Sequence, residues 1–190
     1  PFVCSWWAID PDGRLYCYRE VYHSRRTVAE HAKQIVRLSQ GETYDATITD
    51  HDAEDRATLA AAGIGSVAAA KDHRTGRDAM HARLAVQGDG KPRIFWCEGA
   101  TVETDQDLYA AKKPTSTVAE FDSFVYPKGQ DGKADREEPV KQYDDGLDAA
   151  RYAVMYLDGP RSSQGAWIGS SASVGTLTTS ATIEPERSWA

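Results

Sequence analysis

The sequence predicts an α/β domain with a mixed central sheet flanked by helices. Aromatic and β-branched residues open the chain over 2–9 and 14–22, which is the composition of paired strands. After this hairpin, short strand-like segments alternate with amphipathic helical segments as far as residue 157. Such alternation after an opening hairpin is typical of a sheet with helices packed against it.

The predicted hairpin turns at 10–13, where the sequence is Asp-Pro-Asp-Gly. Proline presets one turn dihedral, and glycine accepts a left-handed one. Pairing Ile9 with Arg14 divides the strand side chains between two faces: Cys4, Trp6 and Cys17 on one, and Val3, Trp7, Tyr16 and Tyr18 on the other. Because both faces are largely apolar, we expect both to be covered.

Capping signals and periodicity predict the elements that follow. Thr27 and Glu30 have the spacing of a capping box and begin a helix that runs to about Ser39. Further helices are predicted over 53–62, 75–86, 105–111 and 144–157. Strands are predicted over 44–49, 65–70, 93–97 and 121–126, and a polar loop over 127–138.

Length and composition limit the classes of protein. A chain of 190 residues suggests one domain, which we place at 1–159, followed by a Ser/Thr/Gly-rich tail over 160–190 that we expect to be flexible or loosely packed. A net charge of −7 argues against the broad basic surface of nonspecific nucleic-acid binders. Three cysteines without a CxxC pair argue against a disulfide framework or a cysteine zinc site and favour a reducing compartment. No apolar run approaches the ~20 residues of a membrane span, so we expect no membrane partner.

Carboxylates fall where an α/β fold can bring them together. Asp50 ends a predicted strand, and Asp144, Asp145 and Asp148 lie in the first turn of the last predicted helix. Asp144 and Asp148 are four residues apart and therefore share a helix face. Such acids can meet in one cleft and hold hard divalent cations such as Mg²⁺. The alternative is structural, since acids in a first helical turn also cap free N–H groups and favour the helix dipole.

Three segments resemble the large subunits of phage terminases. The first is LYCYREVY over 15–22 followed by TVAEHA over 27–32. The second is DHDAEDR over 50–56, and the third is VKQYDDGLDAARY over 140–152. Their order and spacing agree with that family along roughly residues 2–157, and the tail is not covered.

The resemblance implies the C-terminal nuclease domain of a terminase large subunit, with an RNase H-like fold of the resolvase/integrase type. Such a domain is a metal-dependent endonuclease that cleaves concatemeric double-stranded DNA by two-metal phosphodiester hydrolysis with Mg²⁺ or Mn²⁺. By motif position, Asp50 corresponds to the second catalytic carboxylate and Asp148 to the third, with Asp144 as the second choice. The first catalytic aspartate is expected upstream of Pro1, so we expect a truncated first strand, and the activity of this fragment is left open. Asp145 stands where the family often has histidine.

The resemblance also implies partners and a location. An ATPase domain is expected in the same full-length chain, and the portal and the small terminase subunit are expected in the packaging motor, in the cytoplasm of the infected host cell. By position, DNA contacts are assigned to Lys71, Arg74, Arg25 and Arg26. Two alternatives remain: a noncatalytic module that docks to the portal or small subunit, and another RNase H-like nuclease such as a resolvase.

Overall fold

The computed structural model describes residues 1–50, 52–123 and 143–158, together with the backbone of 177–179. The described strands are β1 (Phe2–Ile9), β2 (Leu15–His23), β3 (Ile48–Thr49), β4 (Val67–Ala68), β5 (Ile94–Trp96) and β6 (Leu177–Thr179). The described helices are α1 (Val28–Leu38), α2 (Ala53–Ala61), α3 (His73–Leu84), α4 (Gln106–Ala110), α5 (Thr117–Glu120) and α6 (Asp145–Asp158). In these parts of the chain, no helix has the length and apolar character needed to cross a membrane.

The strands form two sheets. The larger sheet has the order β5-β2-β1-β6, in which β1 and β2 are antiparallel and the two outer strands run parallel to their neighbours. The predicted mixed sheet and mixed α/β class are therefore confirmed. Two of the described strands do not join this sheet, because β3 and β4 pair with each other in a separate parallel sheet.

The turn of the β1–β2 hairpin is one residue longer than predicted. Ile9 pairs with Leu15 and not with Arg14. The reason lies in Asp10, whose carboxylate accepts hydrogen bonds from the backbone N–H groups of Asp12 at 3.0 Å and Arg14 at 2.8 Å. These bonds hold Arg14 inside the turn, so pairing of the strands begins one residue later.

The longer turn also changes the predicted division of faces, because it puts Cys17 opposite Trp7. As a result Cys17 shares a core with Trp7, whereas the sequence predicted that it would lie with Trp6. Beyond this pair, Trp6 pairs with Arg19, so Tyr18 is the extra residue of a bulge.

Both faces of the hairpin are covered, as the apolar pattern predicted. On one face, packing against α3 and α6 buries Trp7, Leu15, Cys17, Met80, Ile94, Ala150, Ala153 and Val154. On the other face, packing against α1 and α2 buries Trp6, Val21, Ala32, Ile35, Tyr44, Leu59 and Ile64. The hairpin thus forms the wall between two apolar cores.

The local signals placed most of the helices correctly. The capping box is present, since Thr27 accepts from the Glu30 N–H and the Glu30 carboxylate accepts from the Thr27 N–H. The strand predicted over 121–126 is wrong for Phe121–Ser123, which form a 3₁₀ helix continuing α5. Residues 124–126 and the polar loop over 127–138 lie outside the described residues.

The C-terminal segment is described only where it joins the larger sheet. Leu177–Thr179 form β6, which pairs with Trp7, Ala8 and Ile9 of β1. These three residues therefore differ from the flexible or loosely packed tail that we expected. The rest of 160–190 lies outside the described residues, and the division into domain and tail stays a prediction.

Candidate active site

A cleft of about 260 Å³ opens between β1, β3 and the first turns of α6. This volume has room for several water molecules. Its floor is apolar, with β1 side chains and Leu59 and Ile64 from around α2. Its acidic lining residues are Asp50, Asp52, Asp55, Asp145 and Asp148. A water-sized space with carboxylates on an apolar floor is a suitable environment for a hydrated cation.

Asp50 and Asp148 reach the cleft from different elements. Asp50 follows β3 directly, and its side chain is 61% exposed. Asp148 lies in the first turn of α6, and its side chain is 28% exposed. The structure therefore brings together two residues that the sequence analysis selected from separate motifs.

Arg151 holds the carboxylate of Asp148. The Asp148 Oδ1 atom accepts from Arg151 Nε at 3.1 Å and from Arg151 Nη2 at 2.9 Å. The Arg151 side chain is only 5% exposed, and it lies directly over Gly76 of α3. A Cβ at position 76 would stand 2.8 Å from both Cγ and Cδ of Arg151, so glycine leaves the space that this side chain occupies. The sequence motifs assigned no role to Arg151, although its spacing from Asp148 is that of a helical ion pair.

The negative charges of Asp148 and Asp50 both affect the pKa of Tyr152. Burial raises the pKa of the Tyr152 phenol, and the negative charges of Asp148 and Asp50 raise it further. With its pKa above the ordinary value of a phenol, Tyr152 stays neutral near pH 7, and its ring lines the cleft. The sequence pattern does not identify this residue as part of the site.

Asp145 faces the cleft, and Asp144 does not line it. Asp145 lies 3.4 Å from the nitrogen of Pro1, and its side chain is 48% exposed. Asp144 is half-buried, and its backbone carbonyl accepts from the N–H of Asp148 at 2.8 Å, which begins the hydrogen bonding of α6. Asp144 therefore lies at the start of the helix, and its assignment as a catalytic and metal-binding residue stays a prediction.

The four predicted DNA-contacting residues fall in three places. Lys71 lies beside the cleft, with its Nζ atom 3.7 Å from an Asp50 carboxylate oxygen. Arg74 is exposed in the first turn of α3 and does not line the cleft. Arg25 and Arg26, on the loop between β2 and α1, form ion pairs with acidic side chains on and just before α4.

The donor set of the cleft suits a hard divalent cation in an open site. Within 1–50, 52–123 and 143–158, no three His, Cys, Asp or Glu side chains are close enough to enclose a metal ion. Mg²⁺ does not require such an enclosure, because it binds through one or two carboxylates, keeps several waters and takes further oxygens from substrate phosphates. Asp50 and Asp148 provide such a pair, and the guanidinium of Arg151 fixes the orientation of one of them.

Among known proteins, the chain shows similarity to a solved structure. The fold is mixed α/β, with a carboxylate cleft at the start of its last described helix. No family model matches the chain, and no curated protein matches it. Among solved structures, the chain is similar to the nuclease domain of the P22 large terminase, with 16% identity, a TM-score of 0.48 and coverage of 82% of this chain and 81% of that one.

Proposed function

We propose that this chain is an RNase H-like, metal-dependent endonuclease domain of a terminase large subunit that cleaves double-stranded DNA. One observation carries the proposal: Asp50 and Asp148, selected from separate sequence motifs, line the same cleft. The proposal includes the expected partners, namely an ATPase domain in the same full-length chain and the portal and small subunit of a packaging motor. It also includes action in the cytoplasm of the infected host.

The chain's own residues have distinct tasks in this proposal. Asp50 and Asp148 would hold Mg²⁺ or Mn²⁺, which when bound supplies a Lewis acid for phosphodiester hydrolysis. Arg151 keeps the Asp148 carboxylate in one orientation, so that little reorganisation is needed when the cation and substrate bind. Lys71 offers a positive charge beside Asp50 that can meet a DNA phosphate.

Electrostatics also predict how the domain engages DNA. The net charge of −7 and the acidic cleft repel the phosphate backbone until a cation is bound. Binding to DNA should therefore be weak, dependent on divalent cations and steeply reduced by salt. Tight engagement would come from the rest of the packaging motor.

The test measures Mn²⁺ binding and cleavage of supercoiled plasmid on the same set of proteins. D50N and D148N each remove one proposed ligand, and D78N neutralises an exposed carboxylate outside the cleft as a matched control. We expect Mn²⁺ affinity in D50N and D148N to fall by more than the ~10–100-fold lost when a residue that supports a metal ligand is removed. D78N should bind Mn²⁺ as the wild type does.

Cleavage is assayed with the 190 residues and with the natural chain extended upstream of Pro1, where the resemblance places the first catalytic aspartate. Mn²⁺-dependent cleavage that is lost in D50N and D148N supports the proposal. Equal cleavage by D148N and the wild type would overturn the site assignment. Failure of the folded, extended chain both to bind Mn²⁺ and to cut DNA would favour the noncatalytic docking module.

A further inference from the structure

A buried carboxylate outside the cleft holds the helix that carries Asp145 and Asp148. Glu120, the last residue of α5, is fully buried and does not line the cleft. Its two oxygens accept from the first turn of α6: Oε1 from the N–H of Gly146 at 2.9 Å, and Oε2 from the N–H of Leu147 at 2.8 Å. The opening N–H groups of a helix have no partner within the helix, so Glu120 satisfies two donors that burial would otherwise leave unpaired.

Tyr22 holds Glu120 in turn. The Tyr22 hydroxyl, on a fully buried side chain of β2, donates to Glu120 Oε1 at 2.7 Å. The carboxylate thus accepts three hydrogen bonds while having no contact with solvent. Burial, with a smaller contribution from the charge of Asp145, raises the pKa of Glu120 to about 7 against the lowering effect of these bonds.

A second buried carboxylate fixes the other end of α5. Glu20 of β2 accepts from the backbone N–H of Thr117 at 3.2 Å and also from the Thr117 hydroxyl. Thr101 donates to the same carboxylate at 3.1 Å. Because Glu20 and Tyr22 belong to one strand, α5 is tied to the central hairpin at its first and last residues.

The close approach of α5 and α6 depends on a glycine. A Cβ built at Gly146 would lie 2.1 Å from Thr117 Oγ1, 2.8 Å from its Cβ and 3.0 Å from its Cα. Position 146 therefore accepts no side chain without separating the two helices. Glycine lets the α6 N–H groups come within hydrogen-bond distance of Glu120.

From these contacts we infer that Glu120 is a positioning residue: it anchors the first turn of α6 to the hairpin and so sets where Asp145 and Asp148 stand in the cleft. We call Glu120, Tyr22, Gly146 and Leu147 the helix anchor. The effect of Glu120 on the carboxylates of the cleft rests on the proposed function, whereas its anchoring of α6 does not. Residues that orient a metal ligand contribute to affinity by keeping it in its binding geometry.

The test replaces Glu120 by glutamine, which keeps the shape but has one acceptor oxygen instead of two. One of the two α6 N–H groups then faces an amide N–H₂ and loses its hydrogen bond. We expect Mn²⁺ affinity, followed by water-proton relaxation, to fall about tenfold in E120Q. Amide hydrogen exchange at Gly146 and Leu147 should accelerate by at least a similar factor.

Asp105 provides a matched control. It is also a buried carboxylate that caps a helix, since it accepts from the N–H groups of Asp107 at 2.8 Å and Leu108 at 3.0 Å at the start of α4. Asp105 does not line the cleft. D105N should lose stability for a similar reason while keeping wild-type Mn²⁺ affinity.

The outcomes are distinct. Wild-type Mn²⁺ affinity and wild-type exchange at Gly146 in E120Q would overturn the inference, as would an equal loss of affinity in D105N. If D148N binds Mn²⁺ as the wild type does, the proposed function fails, and amide exchange alone then decides whether Glu120 anchors α6. Should E120Q not fold, Y22F removes one hydrogen bond from the same carboxylate and should change both readouts in the same direction by a smaller factor.

Discussion

Replacing Gly146 by alanine tests how closely α6 must approach α5. The added methyl group would stand 2.1 Å from Thr117 Oγ1 and 2.8 Å from Thr117 Cβ. Rotation of the threonine side chain cannot remove the contact with its Cβ, and the Thr117 Cα lies only 3.0 Å away. The first turn of α6 must therefore move away from α5.

The size of the effect follows from opposing contributions. Alanine is ~1 kcal/mol better than glycine inside a helix, which stabilises the variant. Crowding in a packed interior costs ~1–3 kcal/mol. Each buried N–H that loses its acceptor costs a further ~1–3 kcal/mol, and the N–H groups of Gly146 and Leu147 both bond to Glu120. Even at the low end of these contributions, the net loss of unfolding free energy in G146A should be at least ~2 kcal/mol.

Urea unfolding followed by circular dichroism measures this loss. The matched control is G88A, because a Cβ at Gly88 meets nothing within 4 Å and the backbone there is not left-handed. G88A should change the unfolding free energy by less than ~1 kcal/mol. If G146A is no less stable than G88A, the close packing of α5 against α6 is not what holds the helix.

Three further predictions concern other parts of the molecule. T27A removes the capping box of α1 and should lower the unfolding free energy by ~1 kcal/mol in urea titrations, whereas no change would mean that α1 does not need its cap. Burial raises the pKa of the thiol of Cys17, whose side chain is inaccessible to solvent, so a disulfide reagent should modify Cys17 much more slowly in the native protein than in urea, and equal rates would contradict its burial. Burial raises the pKa of Glu120 from 4.5 to about 7, so its protonation contributes stability that is full below pH 4.5 and lost as the pH rises through 7. The wild type should therefore gain up to ~3 kcal/mol over E120Q as the pH falls across this window, and a pH-independent difference between the two would refute the shift.

Local chemistry made much of the fold predictable. The turn at 10–13 and the capping box at Thr27 act through neighbours in the sequence, and both elements are present. The hairpin register was not predictable from alternation alone, because the Asp10 carboxylate lengthens the turn by one residue. The helical conformation of Phe121–Ser123 depends on Ser116, whose hydroxyl accepts from the N–H of Ala119 at 3.2 Å and begins α5 just before it.

The acidic residues of the candidate site could be predicted from the sequence, whereas the residues that hold them in position could not. Asp50 and Asp148 stand at a strand end and a helix start, where a sequence pattern can identify them. Arg151 can donate to the Asp148 carboxylate because Gly76 leaves space for the arginine side chain. Gly76 lies on α3, which is distant in sequence from α6, so the residues around Asp148 do not reveal this contact. In the sequence, Glu120 looks like an ordinary charged residue of a short helix. Its role becomes visible only in the fold, where α6 lies beside it.

The two tryptophans of β1 give the hairpin a thermodynamic role. Trp6 belongs to the core under α1 and α2, and its neighbour Trp7 to the core under α3 and α6. Neither core can come apart without exposing one face of the same two strands. The protein should therefore unfold as one cooperative unit, with the slowest amide exchange in the centre of β1 and β2. Two variants that each keep a single tryptophan of the five, one retaining Trp6 and the other Trp7, would report by fluorescence on different cores, and under cooperative unfolding the two transitions coincide.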